Sequence, residues 1–135
     1  MDPVMPAWQR DLQVISDLGL RLVMTIDTHI HADHITSASM LKREVGSRIV
    51  IPTLDALPCT DIGMDEGVPL QVGSLRLDPM HTPGHTDNHF AIVMDDRVFT
   101  GDALLIDGCG RTDFQSADSR VLYESVRGKL FGLPR

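Results

Sequence analysis

The chain has 135 residues, 42% of them apolar, with 12 basic against 19 acidic side chains and a formal charge of −7. That acidic balance excludes a general phosphate-backbone binder, which needs a basic face, and the apolar share excludes a disordered chain. The length suits one domain, residues 1–135, whose core must be mainly aliphatic because only 4% of residues are aromatic.

No apolar run approaches the roughly 20 residues of a membrane span, and residues 1–10 lack a signal peptide's apolar stretch. Cys59 and Cys109 form no CxxC pair and no disulfide framework, which suits a reducing compartment. A cytoplasmic protein that binds neither membrane nor nucleic acid is expected.

In chain order, residues 6–18 are predicted as a helix, with Leu12, Ile15 and Leu18 at spacing three and Gly19 as its stop. Residues 20–26 are aliphatic and β-branched and predict a buried strand. A second helix is expected over 34–45, between Asp33 as N-cap and Gly46 as C-cap. Residues 48–51 predict a short strand ended by Pro52, and 53–67 a loop with one helical turn. Two hairpins follow: 68–72 with 75–80 across Gly73-Ser74, and 89–94 with 97–100 across Asp95-Asp96. A last helix is expected over 119–130, where Leu122, Val126 and Leu130 recur at spacing four. This alternation of elements predicts a layered α/β or α+β sandwich.

All six histidines fall in two short windows. His29, His31 and His34 lie in the string H-x-H-x-D-H with Asp33, after a predicted strand and before a predicted helix. His81, His85 and His89 occupy the second window, where Pro83-Gly84-His85 again follows a strand. Asp102, in Gly101-Asp102, ends a third. Neutral imidazole and carboxylate delivered from strand ends are the materials of a preorganised metal site.

These motifs resemble the metallo-β-lactamase superfamily. The stretch 100–115, containing Gly108-Cys109-Gly110-Arg111-Thr112-Asp113-Phe114-Gln115, resembles its persulfide dioxygenase branch more narrowly, as do residues 28–36 and 122–131. The resemblance implies an αββα sandwich of the α+β class, incomplete at both ends: the opening strands before Asp2-Pro3-Val4 and the segment after residue 135 are expected to be missing. It implies one Fe(II) per chain, held by His29, His85 and Asp102, in a facial triad with open positions. Glutathione persulfide would react there with O2 and water to give sulfite and glutathione. His31, Asp33 and His34 would orient ligands or substrate, and Arg111 would contact a carboxylate of the tripeptide. The plainer reading of Arg111 is a surface salt bridge. Cys109 is expected to pack as a small hydrophobe, and His89 to point outward from its strand. Asp107 stands where relatives often carry Arg.

A zinc-dependent glyoxalase II-type thioester hydrolase is the alternative enzyme. It would use His29, His31 and His85 at one zinc and Asp33, His34 and a later histidine at the other, with Asp102 bridging. That later histidine is missing here, whereas the iron triad is complete. A catalytically inactive binding or assembly module is the third possibility. Uncovered strand edges at 68–72 and 90–93 lead to the expectation of a homodimer, with an exchanged helix over 119–130 as one form.

Overall fold

The computed structural model describes residues 1–114 and 116–134, so Gln115, which closes the quoted motif, lies outside the described residues. The chain forms two compact units, Met1–Met64 and Asp65–Arg135.

The first unit is built on a three-stranded parallel sheet. A 3-10 turn, Met5–Ala7, leads into α1 (Trp8–Asp17), followed by β1 (Met24–Ile26), α2 (Ala38–Val45), β2 (Arg48–Pro52) and β3 (Ile62–Met64), with strand order β1-β2-β3. The parallel register pairs Thr25 with Ile49 and Val50 with Ile62. Parallel strands need a crossover, and α2 supplies it between β1 and β2. Ala38, Ile49 and Ile51 are buried together, with Leu57 packed against them.

Three expectations change in this unit. The strand over 20–26 shrinks to Met24–Ile26, and Leu20 is 63% exposed. The reason is the helix stop: Gly19 adopts φ +67°, its N–H donates to Ser16 O, and the Leu20 N–H donates to Ile15 O. That pairing is a Schellman closure, so Leu20 belongs to the end of α1. The second helix begins at Ala38 rather than 34, with Ser37 in the cap position in place of Asp33. Residues 3–5 hold the intervening segment extended: the Met5 N–H donates to Ile35 O, Val4 bridges Thr36, and the Ser37 N–H donates to Pro3 O. Residues 53–67 also contain β3, a three-residue strand with glycine at its centre. The C-cap is as expected, Gly46 at φ +71°.

The second unit is an antiparallel meander, β4 (Leu70–Val72), β5 (Leu75–His81), β6 (Phe90–Val93) and β7 (Val98–Phe99), in sheet order β4-β5-β6-β7. Both hairpins fall where the turns predict them, with Gly73 at φ +58°. A 3-10 turn, Gly101–Ala103, follows β7. The C-terminal helix starts as α3 (Ser119–Glu124), capped by the Asp118 carboxylate, which accepts from the N–H groups of Arg120 and Val121. The helix does not run on as α to 130. It widens into a π-turn at Ser125–Lys129 and closes as a 3-10 turn at Leu130–Gly132. Leu122 and Leu130 still bury together against Ala91 and Ala103, whose small side chains allow close approach. Parallel and antiparallel sheets with separate helices make the chain α+β, as expected.

Candidate metal centre

In the first unit the histidine string leaves the carboxyl end of β1, and Asp2 organises it. The Thr28 N–H and Thr28 hydroxyl both donate to Asp2 Oδ1, at 2.7 and 3.1 Å, and His31 Nε2 lies 3.0 Å from the same oxygen. With its proton committed to Asp2, the Thr28 hydroxyl accepts from His29 Nδ1 at 2.9 Å. The His29 ring, 2% exposed, is thereby fixed with Nε2 as its unprotonated nitrogen. Nothing in the spacing of the sequence points to Asp2 or Thr28 in these roles, because the contact spans 26 residues.

His31, Asp33 and His34 come together: their donor atoms lie within 4.8 Å of one another, and His34 Nδ1 is 3.1 Å from Asp33 Oδ1. Asp2, Asp27 and His31 form a second such group. Burial pulls the His31 imidazole down, but the Asp2 hydrogen bond and the charges of Asp2, Asp27 and Asp33 together leave it above its ordinary value. Burial pushes the Asp2 carboxyl up, and the His31 and Thr28 hydrogen bonds reverse this to a net lowering. For Asp27 burial prevails over the Thr36 hydrogen bond, and the carboxyl is raised. A cavity of about 250 Å³ adjoins these groups, lined by His29, His31 and His34 together with Ile35, Ile51 and Leu57.

In the second unit His85 and Asp102 meet. His85 Nε2 lies 3.3 Å from Asp102 Oδ2, and His85 Nδ1 donates to Arg111 O at 2.9 Å. The loop that presents His85 is clamped by the C-terminal helix: the Asp118 N–H donates to Gly84 O, and the Ser125 hydroxyl donates to Pro83 O at 2.7 Å. Gly84 sits at φ +131°, and a Cβ there would come within 2.3 Å of Leu122 N, so only glycine fits. Gly110 is equally constrained by space. Its N–H donates to Asp102 O at 2.7 Å, and a Cβ would lie 2.3 Å from that oxygen and 2.7 Å from His85 Nδ1. The Gly110-Arg111 backbone therefore grips both residues at once.

Two expectations, those for His89 and Cys109, are corrected at this site. His89 does not point outward: it is 0% exposed, its Nδ1 lies 2.8 Å from Thr82 Oγ1, and its Nε2 accepts from the Asp102 N–H at 3.0 Å. Alternation along the strand gives no guide to its direction, because Phe90, Ala91 and Ile92 are all buried. Cys109 does not pack inside; it is exposed, like Cys59, and both thiols are free. It directly follows a tight turn closed by the Leu105–Gly108 bridge, with Asp107 at φ +60°. The Arg111 guanidinium makes the salt bridge of its plainer reading, to both carboxylate oxygens of Asp113 at 2.7 and 3.0 Å. It also lies 5.3 Å from the centre of the Phe114 ring, which in turn stands edge-on to His85 at 5.6 Å. His81 is occupied elsewhere, with Nε2 donating to Asp87 O.

The family model for the metallo-beta-lactamase superfamily matches residues 7–133. The chain belongs to the metallo-β-lactamase superfamily. Within it, the chain is 43% identical to human mitochondrial persulfide dioxygenase ETHE1, over 99% of this chain and 54% of that protein. The crystal structure of ETHE1 from Myxococcus xanthus superposes with a TM-score of 0.93 at 42% identity, covering 98% of this chain and 59% of that one. The hydroxyacylglutathione hydrolase GloC of Haemophilus influenzae is 31% identical over 93% of this chain and 70% of that protein. The chain thus spans about half the length, 54%, of the persulfide dioxygenases it matches. Among the described residues, no helix is long and apolar enough to cross a membrane.

Proposed function

We propose that this chain carries an Fe(II)-dependent persulfide dioxygenase activity, with glutathione persulfide as substrate. The observation that carries this reading is the 43–44% identity to mitochondrial persulfide dioxygenases along 99% of the chain. In this reading His29, His85 and Asp102 hold one iron ion. The donor chemistry fits: two neutral imidazoles, each with Nδ1 hydrogen-bonded and Nε2 as the donor atom, and one carboxylate suit Fe(II) with positions left open. Bound iron would supply a centre at which the outer persulfide sulfur and O2 meet as neighbours. The balance is one persulfide, one O2 and one water giving glutathione, sulfite and two protons.

The chain's own residues then serve to hold and orient. Thr28 and the Arg111 carbonyl fix the two ring orientations, while Asp2 steadies the loop and His31. His31, Asp33 and His34 line the approach rather than bind the iron. Arg111 is proposed to receive a substrate carboxylate by exchanging it for Asp113, since both offer the same two-oxygen geometry. Two free thiols fit a reducing compartment such as the cytoplasm. A homodimer belongs to the same proposal: the expected edge at 90–93 is corrected, because β6 is paired on both sides by β5 and β7, but the edge strands β4 and β7 carry no charged side chain to discourage pairing.

The test is protein purified without oxygen, loaded with Fe(II), and assayed for O2 uptake and sulfite with glutathione persulfide. Turnover is expected, with metal lost in His85→Ala and Asp102→Ala. Arg111→Ala should raise KM while retaining metal. No uptake, together with hydrolysis of S-lactoylglutathione by the zinc-loaded chain, would transfer the assignment to the thioester hydrolase. Metal binding without either reaction would leave a binding module. Light scattering reads the dimer: a mass that stays at 14.9 kDa at all concentrations refutes it.

A further inference from the structure

Asp102 is the second residue of the 3-10 turn Gly101–Ala103. Its N–H therefore belongs to the group of donors at the start of a helix that find no partner within it. Here that donor is taken up by a side chain, His89 Nε2, at 3.0 Å. A nitrogen that accepts from a peptide N–H cannot carry a proton, so the proton of this imidazole is on Nδ1, from which it donates to Thr82 Oγ1 at 2.8 Å. Thr82 and His89 are both 0% exposed, and the Thr82 N–H donates back to His89 O. The pair forms a closed two-way clasp. On the other side of the same residue, Asp102 O accepts from the Gly110 N–H at 2.7 Å. Both ends of the Asp102 backbone are thus tied, one by a histidine and one by a glycine.

We propose that His89 is a positioning residue for Asp102: a neutral, Nδ1-protonated imidazole that holds the Asp102 peptide through Nε2 and so aims the carboxylate at the metal. The inference rests on the reading of Asp102 as a metal ligand. It separates His89 from His85 of the same window. His85 spends Nδ1 on a carbonyl and turns Nε2 toward Asp102 Oδ2, whereas His89 spends Nε2 on an N–H and has no donor nitrogen to offer a metal. One ring of this strand-loop-strand segment binds, and the other holds the backbone that carries a ligand.

An acceptor at the place of Nε2 is what the geometry requires. Leucine matches the ring's volume without an acceptor, and glutamine presents Oε1 at a similar reach. The test titrates the metal-free chain with Co(II), reading the visible absorption bands, and repeats the titration with Zn(II) by competition. His89→Leu is expected to weaken binding by about 10–100-fold, the range for loss of a group that orients a ligand, and to change the Co(II) band shape. His89→Gln should recover most of the affinity and the wild-type spectrum. Asp102→Ala serves as the separate arm. Unchanged binding in Asp102→Ala overturns the ligand reading and this inference with it. Loss of metal in Asp102→Ala, alongside wild-type binding in His89→Leu or equal weakening in the Leu and Gln variants, overturns the role of His89 alone. If His89→Leu does not fold, Thr82→Val decides: removing the acceptor that orients the ring should lower affinity several-fold, and unchanged affinity refutes the proposal.

Discussion

Gly110→Ala is the most direct probe of how the site is held. The added Cβ would lie 2.3 Å from Asp102 O and 2.7 Å from His85 Nδ1, so the loop must retreat by about 1 Å to reach ordinary contact. Retreat breaks the Gly110–Asp102 hydrogen bond and lengthens the bond from His85 Nδ1 to Arg111 O. The lost bond costs about 1 kcal/mol and the crowding about 1–3 kcal/mol, together about 2–4 kcal/mol. At roughly 4 °C per kcal/mol for a chain of this size, the metal-free melting temperature should fall by about 8–16 °C. Metal affinity should fall by about 10–100-fold as well, because both disturbed groups are candidate ligands. The assay pairs thermal melting in the presence of a chelator with metal titration of the folded protein at low temperature. Gly108→Ala is the control, since a Cβ there meets nothing within 4 Å and should change neither reading. A Gly110→Ala protein that melts and binds metal like the Gly108→Ala control would refute the argument that this loop grips the site.

The Asp118 carboxylate caps α3 through two N–H groups, so Asp118→Ala should lose about 1 kcal/mol, read as a lower midpoint in urea; an unchanged midpoint counts against the cap. The Lys42 ammonium and then the Ile49 N–H hold the Asp61 carboxyl below its ordinary value of 3.8. The unfolded chain therefore takes up that proton first, so the stability from this contact is present above pH 3.8 and is lost as pH falls through the lower folded value. Wild type should melt above Asp61→Asn at pH 6, with the gap closing below pH 3.8; a gap independent of pH contradicts the linkage.

What could be read from the sequence is what local chemistry decides. Gly19 and Gly46 mark helix ends because only a residue tolerant of φ near +70° continues the chain there. The hairpins at Gly73-Ser74 and Asp95-Asp96 follow from their turn residues. The metal-type strings stand at the ends of β1, β5 and β7, as their placement after predicted strands implies. What escaped depends on distant partners. The start of α2 is set by residues 3–5, which bind Ile35 and Ser37 from some thirty positions away. Strand β3 has three residues, too few to show alternation, and is held by its parallel pairing with β2. The direction of His89 is not legible in the sequence, because a strand buried at three successive residues gives no sign of which way a side chain points. The partners of the site histidines, Asp2, Arg111 O and the Asp102 N–H, lie 29, 26 and 13 residues from His31, His85 and His89.

The two candidate imidazole ligands are oriented by different kinds of group, and that difference can be tested. His29 Nδ1 donates to a side chain, the Thr28 hydroxyl, which in turn donates to Asp2. His85 Nδ1 donates to a backbone carbonyl, that of Arg111. Substitution can remove the first acceptor but not the second. Thr28→Val keeps the β-branched shape and leaves the His29 Nδ1–H without its acceptor in a buried place, while the Thr28 backbone N–H still binds Asp2. Metal affinity should fall by about 10-fold or more with the fold retained. Arg111→Ala removes a side chain that pairs with Asp113 and leaves the carbonyl in place, so metal affinity should stay within about twofold of wild type. The pair is informative in both directions. Equal affinity in Thr28→Val would show that the hydroxyl does not orient His29. A large loss in Arg111→Ala would mean that the guanidinium, through Asp113 and Phe114, is what holds the loop against His85.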